Sequence, residues 1–341
     1  MTKLVSNILL PIPGVLLAVV VAFAATYLGS LVPLIGAPVF GILIGVLLRN
    51  VVGRPEGAVP GIAFVAKRVL QWAIVLLGAD LSLTQVVVTG RQSLAVMAAT
   101  LSVSFVAAVV AGRLLRVPGK MTTLIGVGTA ICGGSAIAAV SPIIEAEEVE
   151  IAYAMSTIFM FNIVAVILFP LLGRLLGFSD RAFGMWAGTA INDTSSVVAA
   201  GYAYSTAAGN FATIVKLTRT TMIIPTAIFL AVIMIVRRRA AVTASGDGIQ
   251  GFNIRRIFPW FILGFLLMSL LSTVGVIPKE TSSLLAEGGR FLIVVALAGV
   301  GMSADIKKMV ASGIRPLLVG LIVWAAVAVV GLFVQRLVGF S

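Results

Sequence analysis

The chain is a succession of apolar runs, most of them about 20 residues long, and that sets the solvent it folds in. Eleven can be marked, at about 13–32, 34–50, 60–79, 91–116, 119–142, 149–177, 182–204, 210–237, 256–276, 285–303 and 314–339. With 60% hydrophobic and only 11% charged residues, there is too little polar surface to cover a soluble globule. The runs lack the two-residue alternation of barrel strands. The sequence therefore predicts an all-α membrane protein, one polytopic domain over 1–341 with about 11 transmembrane helices.

The net charge of +12 could suggest nucleic acid, but its placement argues for topology. Assigning alternate loops to opposite sides gathers Lys3, Arg49, Arg54, Arg113, Arg116, Lys120, Arg174, Arg181, Arg237–Arg239, Lys307 and Lys308 on one side. The other side takes Arg91, Lys279 and Arg336 with the acidic cluster Glu145, Glu147, Glu148 and Glu150. By the positive-inside rule this predicts a bacterial inner-membrane protein with a cytoplasmic N-terminus and an outer C-terminus. No nucleic-acid partner is expected. The acidic cluster reads as a solvated helix start.

Histidine is absent and cysteine occurs once. Imidazole proton relays, the usual zinc sites and Ser-His-Asp chemistry are thereby removed, and no cofactor or metal cluster is expected. An intramembrane enzyme would need a pair such as Ser195 with Lys216, so catalysis is the weakest reading. The polar linker at about 240–256 suits a cytoplasmic loop.

Chemistry concentrates in a near-duplication. Gly128-Thr129-Ala130-Ile131 recurs as Gly188-Thr189-Ala190-Ile191. The first copy runs into Cys132-Gly133-Gly134-Ser135, the second into Asn192-Asp193-Thr194-Ser195-Ser196. Glycines also serve close helix packing in lipid, but a double glycine beside Thr129, Cys132 and Ser135 points to a broken helix. A break frees backbone N–H groups to face an anion, so Gly128, Thr129, Cys132, Gly133, Gly134 and Ser135 are candidate substrate ligands. Asp193 is a carboxylate at membrane depth, a candidate to bind Na+ or carry H+, with Asn192, Thr194, Ser195 and Ser196 around it. It can equally cap a half-helix. Lys216 and Arg219, one turn apart, either neutralise Asp193, receive an anion, or snorkel to the headgroups. Asp80 and Asp305 fall at helix ends, and Asn162 is suited to an interhelical hydrogen bond.

Ile125-Gly126-Val127-Gly128-Thr129-Ala130 is similar to Ala298-Gly299-Val300-Gly301-Met302-Ser303, five helices later. An odd separation reverses direction, which suggests inverted five-helix repeats over about 34–177 and 182–339 behind an extra N-terminal helix. The Gly-Thr-Ala-Ile pair, two helices apart, would run in one direction and so would not be the inverted repeat.

The stretch Gly128–Ala138, the stretch Asn192–Gly201 and Leu76-Leu77-Gly78-Ala79 together resemble the family of bacterial membrane proteins named as predicted sulfate exporters. That family is grouped with bile-acid/sodium symporters and sodium/proton antiporters. The resemblance implies a core domain with two crossed discontinuous helices, here the fifth and tenth, broken near Gly133-Gly134 and Gly299–Gly301, so Gly299 and Gly301 join the substrate ligands. Many members have a histidine where this chain has Asn192, which leaves Asp193 as the coupling candidate. The expectation is a secondary active transporter moving a small anion by alternating access, coupled to Na+ or H+. A channel and a carrier of a non-anionic solute are the alternatives. A homodimer stays open, because packing glycines are too abundant to isolate one face.

Overall fold

The computed structural model describes residues 11–32, 36–53, 55–241, 260–311 and 313–340. The expected linker at about 240–256 falls almost wholly outside them. Every regular element among the described residues is helical. Seven helices are long and apolar enough to cross a membrane: α1 (Ile12–Leu31), the rod α3 (Glu56–Asp80), α4 (Leu83–Leu114), α7 (Glu148–Leu175), α10 (Thr206–Thr221) running on into α11 (Ile223–Ala241), α13 (Lys279–Ser303) and α15 (Ile314–Leu337). Shorter apolar helices are α2 (Ala37–Val52) and α12 (Trp260–Thr273). A short α14 (Ile306–Ala311) precedes α15.

Two segments read as spans turn back on themselves. α5 (Gly119–Ala130) stops, residues 131–133 reverse the chain, and α6 (Gly134–Val140) returns. Lys120 Nζ then donates to the Glu145 carbonyl at 2.6 Å. A straight helix would hold residues 120 and 145 ~38 Å apart at ~1.5 Å per residue. α8 (Asp180–Ala190) and α9 (Thr194–Tyr204) form a second hairpin, closed where Ser205 Oγ donates to Asp180 Oδ1 at 2.6 Å. Ser179 and Ser205 cap α8 and α10 through their hydroxyls, so the chain enters and leaves the second hairpin on satisfied turns.

Between the hairpins lies α7, a single helix of 28 residues, ~42 Å long. The two hairpins therefore enter from opposite ends of the bundle. Three expectations are corrected by this. The Gly-Thr-Ala-Ile copies approach each other from opposite faces rather than running in one direction. Glu145, Glu147, Glu148 and Glu150 lie at the Lys120 end. Arg174 and Arg181 lie at the other. As a helix start the acidic cluster behaves as expected: Glu147 and Glu150 make a capping box on α7.

The expected break at Gly299–Gly301 is also corrected: α13 runs unbroken to Ser303. These glycines permit close contact instead. A Cβ on Gly301 would lie 2.3 Å from the Ile42 carbonyl oxygen, and one on Gly45 would lie 2.5 Å from that of Ala298. In lipid this contact of backbones replaces the hydrophobic drive that helices feel in water. The helix ends are then pinned by ion pairs, Arg49 with Asp305 at 2.7 Å and Arg290 with Asp80 at 3.8 Å.

Two outcomes follow from this packing. Cysteines at Asp180 and Ser205 should cross-link efficiently on mild oxidation, whereas a continuous span over 180–205 would leave them unlinked on a denaturing gel. Gly301→Val should lower stability in detergent by about 2 kcal/mol or more, while Gly288→Ala, with open space around it, should leave the melting curve in place.

Candidate functional site

The hairpin tips meet. An ideal Cβ on Gly133, at the tip of the first hairpin, would lie 3.2 Å from Asp193 Cβ and 3.3 Å from its Oδ1 at the tip of the second. Gly133 has φ +68°, a left-handed conformation that glycine adopts without a steric penalty, and a side chain there would also crowd Asp193.

Each tip ends a half-helix with carbonyls that no longer have an intrahelical donor. α10 supplies the donors. Lys216 and Arg219 are three residues apart on its buried face and both are 0% exposed. Lys216 Nζ donates to the carbonyls of Ile131 (2.7 Å), Ile191 (2.9 Å) and Asn192. Arg219 donates through Nε to Ala130, through Nη1 to Thr189 and through Nη2 to Thr129 (3.0 Å). The bonding is nearly symmetric in the duplicated motifs: Lys216 takes Ile131 and its counterpart Ile191, Arg219 takes Thr129 and its counterpart Thr189. Both cations also sit at the negative ends of α5 and α8, where helix dipoles favour them. They are mid-helix tethers, not headgroup anchors, and every one of their side-chain nitrogens bonds backbone.

Asp193 caps α9, accepting on Oδ2 from the Ser195 N–H at 2.9 Å and from Ser195 Oγ. Its own N–H donates to Asn162 Oδ1 of α7 at 3.2 Å, the interhelical bond expected of Asn162. The Ser195–Lys216 pair that hydrolytic chemistry would need is not formed: Ser195 bonds Asp193, and Lys216 bonds carbonyls. Asp193 follows directly on Asn192, whose carbonyl Lys216 bonds.

Several polar atoms at the tips are buried with no partner: Thr129 Oγ1, both amide atoms of Asn192, and Asn162 Nδ2. Asn192 is 1% and Asn162 3% exposed. Leaving a buried polar group unpaired costs ~1–3 kcal/mol, so such clusters mark places where something else binds. The tips have one open side, where Gly134 and Asp193 are half-buried and Ser135 is exposed. Gly134 abuts Met155 and Phe159 of α7, lining residues that no sequence motif marks.

Of the residues expected at the site, Thr129, Cys132, Gly133, Gly134, Asn192, Asp193, Thr194 and Ser195 lie at the two tips. Ser135 and Ser196 lie in the first turns of the returning arms. Gly128 sits within α5, its face closed by Ile137 and Ile158. Gly299 and Gly301 lie elsewhere, against α3 and α2. The structural role of Lys216 and Arg219 was missed. Its signal was there: two cations one turn apart, serving two copies of one motif.

Removing one tether should be severe. Lys216→Met strands three buried acceptors, and we expect a loss of about 3 kcal/mol or more by denaturant titration in detergent. Asp193→Asn, which keeps a side-chain oxygen for the cap, should lose far less. Equal losses would mean the tethers do not hold the tips.

Residues 13–320 match the family described as "Conserved hypothetical protein 698". Similar proteins include a UPF0324 membrane protein of Clostridium tetani, 42% identical over 96% of this chain and 97% of that protein. UPF0324 membrane protein FN0533 of Fusobacterium nucleatum is 40% identical over 96% and 98%. UPF0324 membrane protein M6_Spy0799 of Streptococcus pyogenes serotype M6 is 42% identical over 96% and 97%.

Proposed function

The chain belongs to that family of membrane proteins, and we propose that it is a secondary transporter of a small anion whose site is the meeting point of the two hairpin tips. One observation carries this reading: two fully buried cations, Lys216 and Arg219, meet at the tips, and one carboxylate, Asp193, follows the Asn192 carbonyl that Lys216 bonds. Buried charge is costly unless balanced. The half-helix carbonyls offset part of the excess, and a bound anion removes the remainder. Opposed hairpins ending at mid-depth are also what alternating access requires, since a site between them can open to either face.

We read nine crossings, the seven long helices and the two shorter ones, with the hairpins as re-entrant elements. The hairpins and their flanking helices α4 and α10 form the inverted units. An odd count puts the termini on opposite sides, and Arg49, Arg113, Lys120 and Lys307 fall at one end, which the positive-inside rule makes cytoplasmic in the bacterial inner membrane. Asp193 is the coupling group. It reaches the open side of the tips, and neutralising it with Na+ or H+ strengthens the hold of the cations on an anion. Release of the coupling ion weakens that hold, so the two move together.

In proteoliposomes, anion uptake should saturate, show counterflow, and rise with an imposed Na+ or H+ gradient. Asp193→Asn should reduce gradient-driven uptake to background while leaving the melting temperature within a few degrees. Gradient-dependent uptake that survives Asp193→Asn would remove that residue from coupling, and currents far above carrier turnover would make the protein a channel.

A further inference from the structure

Resting on the anion reading above, the tip geometry points to a cargo that carries a hydrogen-bond donor as well as its negative charge: a protonated oxyanion, or a small sulfonate or carboxylate bearing a hydroxyl or amine. Fully deprotonated sulfate is the wrong substrate.

Donors and acceptors at the tips decide this. Every side-chain nitrogen of Lys216 and Arg219 already bonds a backbone carbonyl, which leaves only the second N–H of each Arg219 Nη for any other partner. What remains free is mixed. Asn162 Nδ2 and Asn192 Nδ2 are donors with no partner. Asn192 Oδ1 is an acceptor with no partner, and Thr129 Oγ1 can take either part. Asp193 adds a second acceptor. Its Oδ2 is taken twice by Ser195, while Oδ1 faces the bare glycine at the opposite tip and accepts none of those bonds. Asn162 is tied to this carboxylate's own backbone N–H, so its free Nδ2 stands beside the same tip.

A sulfate ion offers acceptors only. It satisfies the two amide nitrogens but leaves Asn192 Oδ1 unpaired and sets its oxygens against the Asp193 carboxylate. A ligand with an O–H or N–H satisfies both kinds of group at once. Sites built to bond a ligand's donor reject the analogue that lacks it strongly, because the protein acceptor is left buried and unpaired. Charge is therefore read by the cations, and protonation by Asp193 and Asn192.

The test is thermal-shift titration of the purified wild-type protein with pairs matched in charge and shape. Hydrogen phosphate is set against sulfate at mildly alkaline pH, where both carry two charges. 2-Hydroxyethanesulfonate is set against propane-1-sulfonate. The member with the donor should half-saturate at a concentration lower by about tenfold or more in at least one pair. In Asp193→Asn, whose amide donates, the preference for hydrogen phosphate over sulfate should shrink or invert. Sulfate binding as tightly as hydrogen phosphate, with no preference in the sulfonate pair, overturns the inference and leaves the anion carrier standing. A shift produced wholly by sodium overturns it too, since the acceptors would then be cation ligands. A panel that shifts nothing removes the anion carrier itself, and this inference with it.

Discussion

The architecture depends on one interaction: side-chain cations satisfying backbone carbonyls where two helices stop inside the apolar interior. Hydrocarbon offers no water to a broken helix, so each freed carbonyl must find a donor within the protein. Lys216 and Arg219 supply three bonds each, divided between the two hairpins. Without them neither hairpin could end at mid-depth, and without hairpins the unpaired groups of Asn192 and Asn162 would have nowhere to converge. The cost of burying two cations is met locally, by helix C-termini and by Asp193, rather than by a distant ion pair.

That arrangement also divides the molecule mechanically. The tethers join both tips to α10, so the two hairpins and α10 form one unit. α1, α2, α3 and α13 form another, interlocked through Gly45 and Gly301 at backbone contact distances. In the proposed carrier the first unit moves against the second. A motion that parted one tip from the other would strand carbonyls in lipid, which makes joint displacement of both hairpins the cheaper path.

Much of the site was legible in the sequence. Asp193 as helix cap, Asn162 as an interhelical partner and a break near Gly133-Gly134 all follow from local chemistry. What the sequence hid was direction. Hydropathy measures how much apolar chain is present, and α5 plus α6 contain about as much as one crossing, as do α8 plus α9. Nothing in residues 119–142 distinguishes a helix that resumes from one that returns, because the distinction rests on a long-range bond such as Lys120 to Glu145. The same blindness misplaced Arg174 and Arg181. It also made Gly299–Gly301 look like a break, since a glycine that packs against Ile42 and one that ends a helix are the same letter. Lys216 stays open between the site and the headgroups in the sequence because no local feature says that its partners lie 24 and 85 residues away.

The two motifs are nearly identical, yet only one carries a carboxylate, and sterics explain why. Aligned at a spacing of 60, Gly133 corresponds to Asp193. The tips touch so closely that a Cβ on Gly133 would sit 3.2 Å from Asp193 Cβ. A second aspartate there would crowd the first and strain the left-handed backbone at φ +68°, and two carboxylates so near could not both ionise. Symmetry is therefore kept where backbone needs donors, at Thr129 and Thr189 and at Ile131 and Ile191, and broken at the point of contact. The broken position leaves two cations against one anion, an imbalance that a symmetric pair of aspartates would have cancelled. The duplication builds the cradle, and its single departure from symmetry gives the cradle a net charge.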